Sequence, residues 1–230
     1  MFQLFFNKVD DYYTLTTGGY AAFIVLILLI LVLSVFIGNL RSRNAAAKKM
    51  PVKQLVFCAA ALALGFIASY ITLYKMPWGG SVTMFSMLFI CLIGYWYGPK
   101  VGLMTGIAYG ILQFIQDGGG YIISPLQIGF DYIFAFAALG LSGLFSNSKN
   151  GLLKGYITGI LIRGVSHSIG GYLYWLSYMP DSFPKALAPV YPIIYNYSYI
   201  LIEGVVTIII LALPPVASAM KQVKKMAVDI

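Results

Sequence analysis

Between Tyr12 and Leu40 the chain carries no charged side chain, and Leu, Ile and Val fill most of the second half of that run. A helix needs about 20 predominantly apolar residues to cross a hydrocarbon core about 30 Å thick, so this stretch is long enough to span a membrane. Reading between charges and turn-forming residues gives seven such stretches, at about 16–40, 54–74, 83–98, 100–116, 124–146, 152–178 and 190–220. A single soluble core cannot hide that much apolar surface, and lipid is the solvent that suits it. The composition agrees: 60% of residues are hydrophobic and 10% are charged, where a soluble domain is about 25% charged. An ordinary soluble fold is excluded, and the expected class is an all-α integral membrane protein. The first run is too long for the apolar segment of a secretory signal, and Asp10 and Asp11 precede it where basic residues would be needed, so it is kept as a span.

The net charge of +8 takes its meaning from its distribution. If the seven spans alternate, Arg41, Arg43, Lys48, Lys49, Lys53, Lys100, Lys149, Lys154, Lys221, Lys224 and Lys225 all fall on one side. The other side holds Lys8, Lys75 and Lys185 against Asp10, Asp11, Asp117 and Asp181. By the positive-inside rule the N-terminus is outside and the C-terminus in the cytoplasm. The basic cluster at 41–53 reads as a topology signal with some attraction to anionic lipid, and nucleic acid is not an expected partner.

Cys58 and Cys91 lie in apolar runs without ligand-like spacing, so they read as small buried hydrophobes; no metal site or cofactor is expected. Gly102, Gly106 and Gly110 form a small-residue ridge, which suggests close helix packing within a bundle. A second set of small residues pairs Ala59 with Ala63 and Ala61 with Gly65, and serves either packing or a partner helix.

Ionisable groups inside spans are costly and mark a cavity, a partner or a pathway. Asp131, Arg163, His167 and Glu203 are such groups. Arg163, His167, Gly171 and Trp175 recur at steps of four and line one helix face, and Asn196 shares a face with Glu203. Arg163 and Glu203 lie deeper and are expected to neutralise each other. Asp131, His167 and Asn196 fall in the outer half of the bundle, where Trp78, Tyr121, Tyr132, Tyr191, Tyr195, Tyr197 and Tyr199 also crowd. An interfacial aromatic belt accounts for any one of these rings, but not for a carboxylate, a His and an Asn at the same depth. Aromatic faces around one carboxylate suit a flat organic cation that also forms hydrogen bonds. Motifs for metalloprotease, serine hydrolase and nucleotide-phosphate chemistry are missing, so an enzyme is not expected.

In order along the chain, MPWGGSVTMFSML, YGPKVGLMTGIAYGILQ, SPLQIGFDYIFAFAALGLSGLF, RGVSHSIGGYLYW and YPIIYNYSYILIEG resemble the thiamine-specific S-component family of energy-coupling factor (ECF) transporters. The resemblance covers about 54–220. It implies a six-helix substrate-binding domain at 54–220; the apolar run and charges outside that domain give an extra transmembrane helix and basic cytoplasmic linker at 1–53 and a basic cytoplasmic tail at 221–230. It further implies a multi-pass protein of a bacterial cell membrane, with thiamine bound at the outer face, a transmembrane coupling subunit and two cytoplasmic ATPase subunits. Carried over residue by residue, the ligand site comprises Trp78, Tyr121, Asp131, Tyr132, His167, Trp175, Tyr191 and Asn196, and Ala59 and Ala63 meet the coupling subunit. The loop at 75–82, with Gly79 and Gly80, is expected to act as a lid over such a site. The chain departs from the family pattern in having Asp131 where members carry Glu, and in its additional N-terminal span. The alternatives are the same architecture binding pyridoxine or the pyrimidine moiety of thiamine, and a proton-coupled secondary transporter using Asp131 or Glu203.

Overall fold

The computed structural model describes residues 2–10, 12–22, 25 and 51–228. Most of the predicted first span and the cluster from Arg41 to Lys49 therefore lie outside the described residues; 17–22 are helical. Ahead of them a single helical turn, Phe2–Phe5, leads into an antiparallel hairpin of β1 (Phe6–Val9) and β2 (Tyr12–Leu15), with Phe6 opposite Leu15 and Val9 opposite Tyr12. Thr16 caps the helical residues that follow, its Oγ1 accepting from the Gly19 N–H at 3.0 Å.

The six stretches predicted from residue 54 onward are all largely helical. Helix α1 (Val52–Tyr70) turns Cys58, Ala61, Gly65, Ala68 and Ser69 inward and leaves Val52, Leu55, Val56, Leu64 and Ile67 exposed. It stops at Tyr70, short of the predicted 74. The β-branched and aromatic residues after it form β3 (Thr72–Lys75), which pairs antiparallel with β4 (Ser81–Thr83). Helices α2 (Ser86–Tyr97) and α3 (Pro99–Gln116) are joined at Gly98, which adopts φ +88° ahead of a proline suited to a first helical turn. Helix α4 (Pro125–Phe145) is capped by Ser124, whose Oγ accepts from the Gln127 N–H at 3.1 Å. It contains a π-helical turn at Gly129–Phe134 and ends in 3₁₀ geometry. Helix α5 (Gly151–Gly170) continues through a second π-helical turn, Gly171–Trp175.

Helix α6 (Lys185–Ala212) opens with a 3₁₀ segment and ends at Ala212, not at the predicted 220. Pro214 and Pro215 cannot continue its hydrogen-bond ladder. The chain restarts as α7 (Pro214–Val228), with Val216, Met220, Val223 and Ala227 on one stripe and lysines elsewhere. Tyr97 donates to the Ala227 carbonyl at 3.0 Å, and Lys224 donates to the Tyr95 hydroxyl at 3.0 Å, so α7 lies under the end of α2.

Among the described residues α1, α4 and α6 are long and apolar enough to cross a membrane, while α2 is apolar but shorter. In lipid, apolar burial contributes little to helix association, and close backbone approach matters more. The glycine ridge supplies it. A Cβ at Gly102 would lie 2.5 Å from the Gly140 carbonyl oxygen, and one at Gly106 would lie 2.5 Å from that of Phe136. The ridge therefore packs α3 against α4 inside the bundle, as expected. The core gathers Met87, Ile90, Cys91, Tyr109, Phe136, Leu139, Tyr156, Ile160 and Ile200 in one cluster. Both cysteines are buried free thiols, as expected of small apolar side chains.

Candidate functional site

At one end of the bundle, helices α1 to α6, α2 through its first residue Ser86, and the β3–β4 hairpin line a cavity of about 550 Å³. Small-molecule sites commonly occupy about 300–1,000 Å³. Asp131 is central to its wall. Its Oδ2 accepts from Gln127 Nε2 at 2.8 Å and from the Trp175 indole N–H at 2.8 Å, while Oδ1 lies 3.9 Å from His167 Nδ1. Both Asp131 and Trp175 sit on the two π-helical turns, where one turn holds an extra residue and side chains leave the regular helical stripe. Space for the carboxylate comes from Gly170, where a Cβ would stand 2.7 Å from Oδ1. Ser166 donates to the Phe130 carbonyl at 2.8 Å and satisfies an acceptor beside the widened turn.

His167 accepts at Nε2 from Arg163 Nε at 3.2 Å, which requires the tautomer protonated on Nδ1, the nitrogen that faces Asp131. The Arg163 guanidinium also lies 4.5 Å from the centre of the Phe136 ring. Arg163 and Glu203, expected to neutralise each other, line the same cavity but form no direct ion pair. Glu203 instead accepts from the Thr83 N–H at 2.9 Å, from Thr83 Oγ1 at 2.7 Å and from the Met87 N–H at 3.4 Å. Those donors come from β4 and the start of α2, so Glu203 ties the hairpin to α6.

The tip of that hairpin is seated on tyrosines. Gly79 (φ +103°) and Gly80 (φ +78°) are both in left-handed backbone that favours glycine. A Cβ on Gly79 would meet the Tyr195 ring at 3.0 Å, and one on Gly80 would run into the Tyr199 ring. On the opposite wall Gln113 Nε2 donates to Ser69 Oγ at 3.0 Å and to Gln116 Oε1 at 3.2 Å. Asp117, just beyond the end of α3, also lines the cavity, and burial raises its carboxyl above the ordinary range. The wall thus holds three carboxyl groups, Asp117, Asp131 and Glu203, against one guanidinium, Arg163.

Of the residues predicted for the site, Asp131, Tyr132, His167, Trp175 and Asn196 line this one cavity. Asn196 is buried and largely committed: Nδ2 donates to the carbonyls of His167 (3.2 Å) and Pro192 (2.8 Å), and Oδ1 accepts from the Tyr199 hydroxyl (3.0 Å). Tyr121, Trp78 and Tyr191 stand outside the lining. Tyr121 stacks on Trp175 with centroids 5.1 Å apart. Trp78 packs edge-on against Phe183 at 5.0 Å, and its carbonyl accepts from the buried Tyr191 hydroxyl at 3.3 Å. Ala59 and Ala63 are exposed on the outer face of α1, whereas Ala61 and Gly65 pack inward. The sequence reading missed Ser69, Gln113, Gln116 and Gln127, and their signal was available as neutral polar side chains inside apolar stretches.

The model of the family described as thiamine transporter protein (Thia_YuaJ) matches residues 55–223. The chain is 33% identical over 171 residues to the thiamine transporter ThiT of Bacillus subtilis (strain 168), which covers 69% of this chain and 85% of the relative. It is 31% identical over 121 residues to the thiamine transporter ThiT of Lacticaseibacillus paracasei, covering 46% of this chain and 59% of that one. The fold is similar to the solved structure of ThiT from Listeria monocytogenes, with a TM-score of 0.54 at 24% identity, over 70% of this chain and 94% of that chain. Both curated relatives are named as transporters, and among the described residues α1, α4 and α6 of this chain are long and apolar enough to cross a membrane. Matched over most of its length, this chain belongs to the family of thiamine transporter proteins.

Proposed function

We propose that the chain is the thiamine-binding S component of an ECF-type uptake transporter in a bacterial plasma membrane. In this reading it crosses the bilayer seven times with its N-terminus outside, captures thiamine at the outer face, and delivers it through a coupling subunit driven by two cytoplasmic ATPases. The observation that carries the reading is Asp131, held by Gln127 and Trp175 at the wall of a cavity that Tyr132, Trp175, Tyr195 and Tyr199 also line. Thiamine joins a permanently cationic thiazolium to a flat aminopyrimidine. Aromatic faces attract a cation, the carboxylate offsets its charge, and the excess of carboxyl groups over guanidinium favours it further.

Asp131 is the electrostatic anchor in this assignment. Tyr132, His167 and Trp175 form walls, and Asn196 holds α5 and α6 in register beneath the ligand. Tyr121 supports Trp175 from behind, while Trp78 and Tyr191 brace the hairpin at 75–82, which serves as the lid. The exposed Ala59 and Ala63 offer a smooth face for the coupling subunit. Binding of radiolabelled thiamine to the purified chain tests the site. Asp131→Asn and Trp175→Ala are each expected to weaken binding by about tenfold to a hundredfold, the scale of a lost charge-assisted hydrogen bond. Unchanged affinity in both variants would overturn the assignment.

A further inference from the structure

The family match begins at residue 55, yet the N-terminal hairpin packs against Tyr121, which stands behind the cavity-lining Trp175. Tyr12 of β2 stacks on Tyr121 with ring centroids 3.9 Å apart and an interplanar angle of 21°. Tyr121 stacks on Trp175 in turn, at 5.1 Å and 30°. The Trp175 indole N–H is the donor that holds Asp131 Oδ2 at 2.8 Å. Three rings thus connect the hairpin to the carboxylate that anchors the proposed ligand.

Two further contacts fix the same loop. Tyr13 and Ile122 exchange backbone hydrogen bonds, each 2.7 Å long. Tyr20 rests on Gly119, where a Cβ would collide with its ring. The loop needs such support because Gly118, Gly119 and Gly120 immediately precede Tyr121. A triple glycine has the largest backbone freedom to lose on ordering. Left to itself it would present Tyr121 in many places, and pairing with β2 holds it in one.

We propose that Tyr12 is a positioning residue of the ligand site: it presses Tyr121 onto Trp175 and so keeps the indole N–H on Asp131. The proposal rests on reading the cavity as the thiamine site. Tyr12 does not touch the cavity itself and acts through the ring stack, so the aromatic ring is the part required and its hydroxyl is not.

The test uses the full chain purified in mild detergent, with two readouts. The first is the rate at which bound radiolabelled thiamine is released into excess unlabelled thiamine. The second needs no ligand: acrylamide quenching of Trp175 fluorescence in a Trp78→Phe, Trp96→Phe background. Tyr12→Ala is expected to speed release roughly threefold to tenfold, the factor corresponding to one aromatic pair, and to raise the quenching of Trp175. Tyr12→Phe is expected to restore both values, and deletion of residues 2–15 to reproduce the alanine effects. Release and quenching unchanged in Tyr12→Ala would overturn the proposal. Faster release with unchanged quenching would also overturn it, since Tyr12 would then act by another route. If the parent chain binds no thiamine, the proposed function fails on its own, and the quenching comparison alone decides the role of Tyr12.

Discussion

Asp131 owes its place to three other residues. Gln127 and Trp175 each bind its Oδ2, and Gly170 leaves room for its Oδ1. Gly170→Ala therefore tests position without removing any charge. The added methyl would lie 2.7 Å from Oδ1 and must displace it, while alanine favours the helix by about 1 kcal/mol over glycine. Thiamine titration should find affinity lowered about tenfold, and thermal melting in detergent should find stability little changed. Asn196→Ala should do the reverse in kind. It strips partners from the His167 and Pro192 carbonyls and the Tyr199 hydroxyl, so melting should reveal a loss of about 1–3 kcal/mol. Asp131, His167 and Asn196 were legible in the sequence because polar groups inside apolar runs are conspicuous. The bond from Trp175 to Asp131 was not, because both residues sit on π-helical turns that a regular 3.6-residue period does not foresee.

At the scale of elements, the glycine ridge was readable because spacing of four on a helix needs no tertiary information. Its consequence is that α3 meets α4 backbone to backbone. Gly106→Leu should prevent that approach, since even a Cβ there falls 2.5 Å from the Phe136 carbonyl oxygen. Gel filtration in detergent is expected to show loss of the monodisperse peak, with Gly98→Ala as a contrast: a Cβ at Gly98 meets nothing within 4 Å, so its cost comes only from the backbone at φ +88°. The two hairpins were harder to read. MPWGGS was recognisable as a turn, but strands as short as Thr72–Lys75 and Ser81–Thr83 carry too few alternations to separate from the adjoining apolar helix. The stop at Ala212 was written in Pro214 and Pro215, which hydropathy alone passes over.

For the whole molecule, the charges had already separated the two ends. Lys221, Lys224 and Lys225 lie on α7 beneath α2, while Asp117 and Asp131 line the cavity. The proposed orientation puts the exposed Ser148 in the cytoplasm and the exposed Ser182 outside. In intact cells a membrane-impermeant maleimide should label Ser182→Cys and leave Ser148→Cys unlabelled, against low background because Cys58 and Cys91 are buried. The central claim is that the cavity around Asp131 is a thiamine site, and calorimetric titration of the purified chain tests it most directly. The account predicts saturable binding of one thiamine per chain that persists in excess pyridoxine; no saturable heat, or displacement of thiamine by pyridoxine, would contradict it.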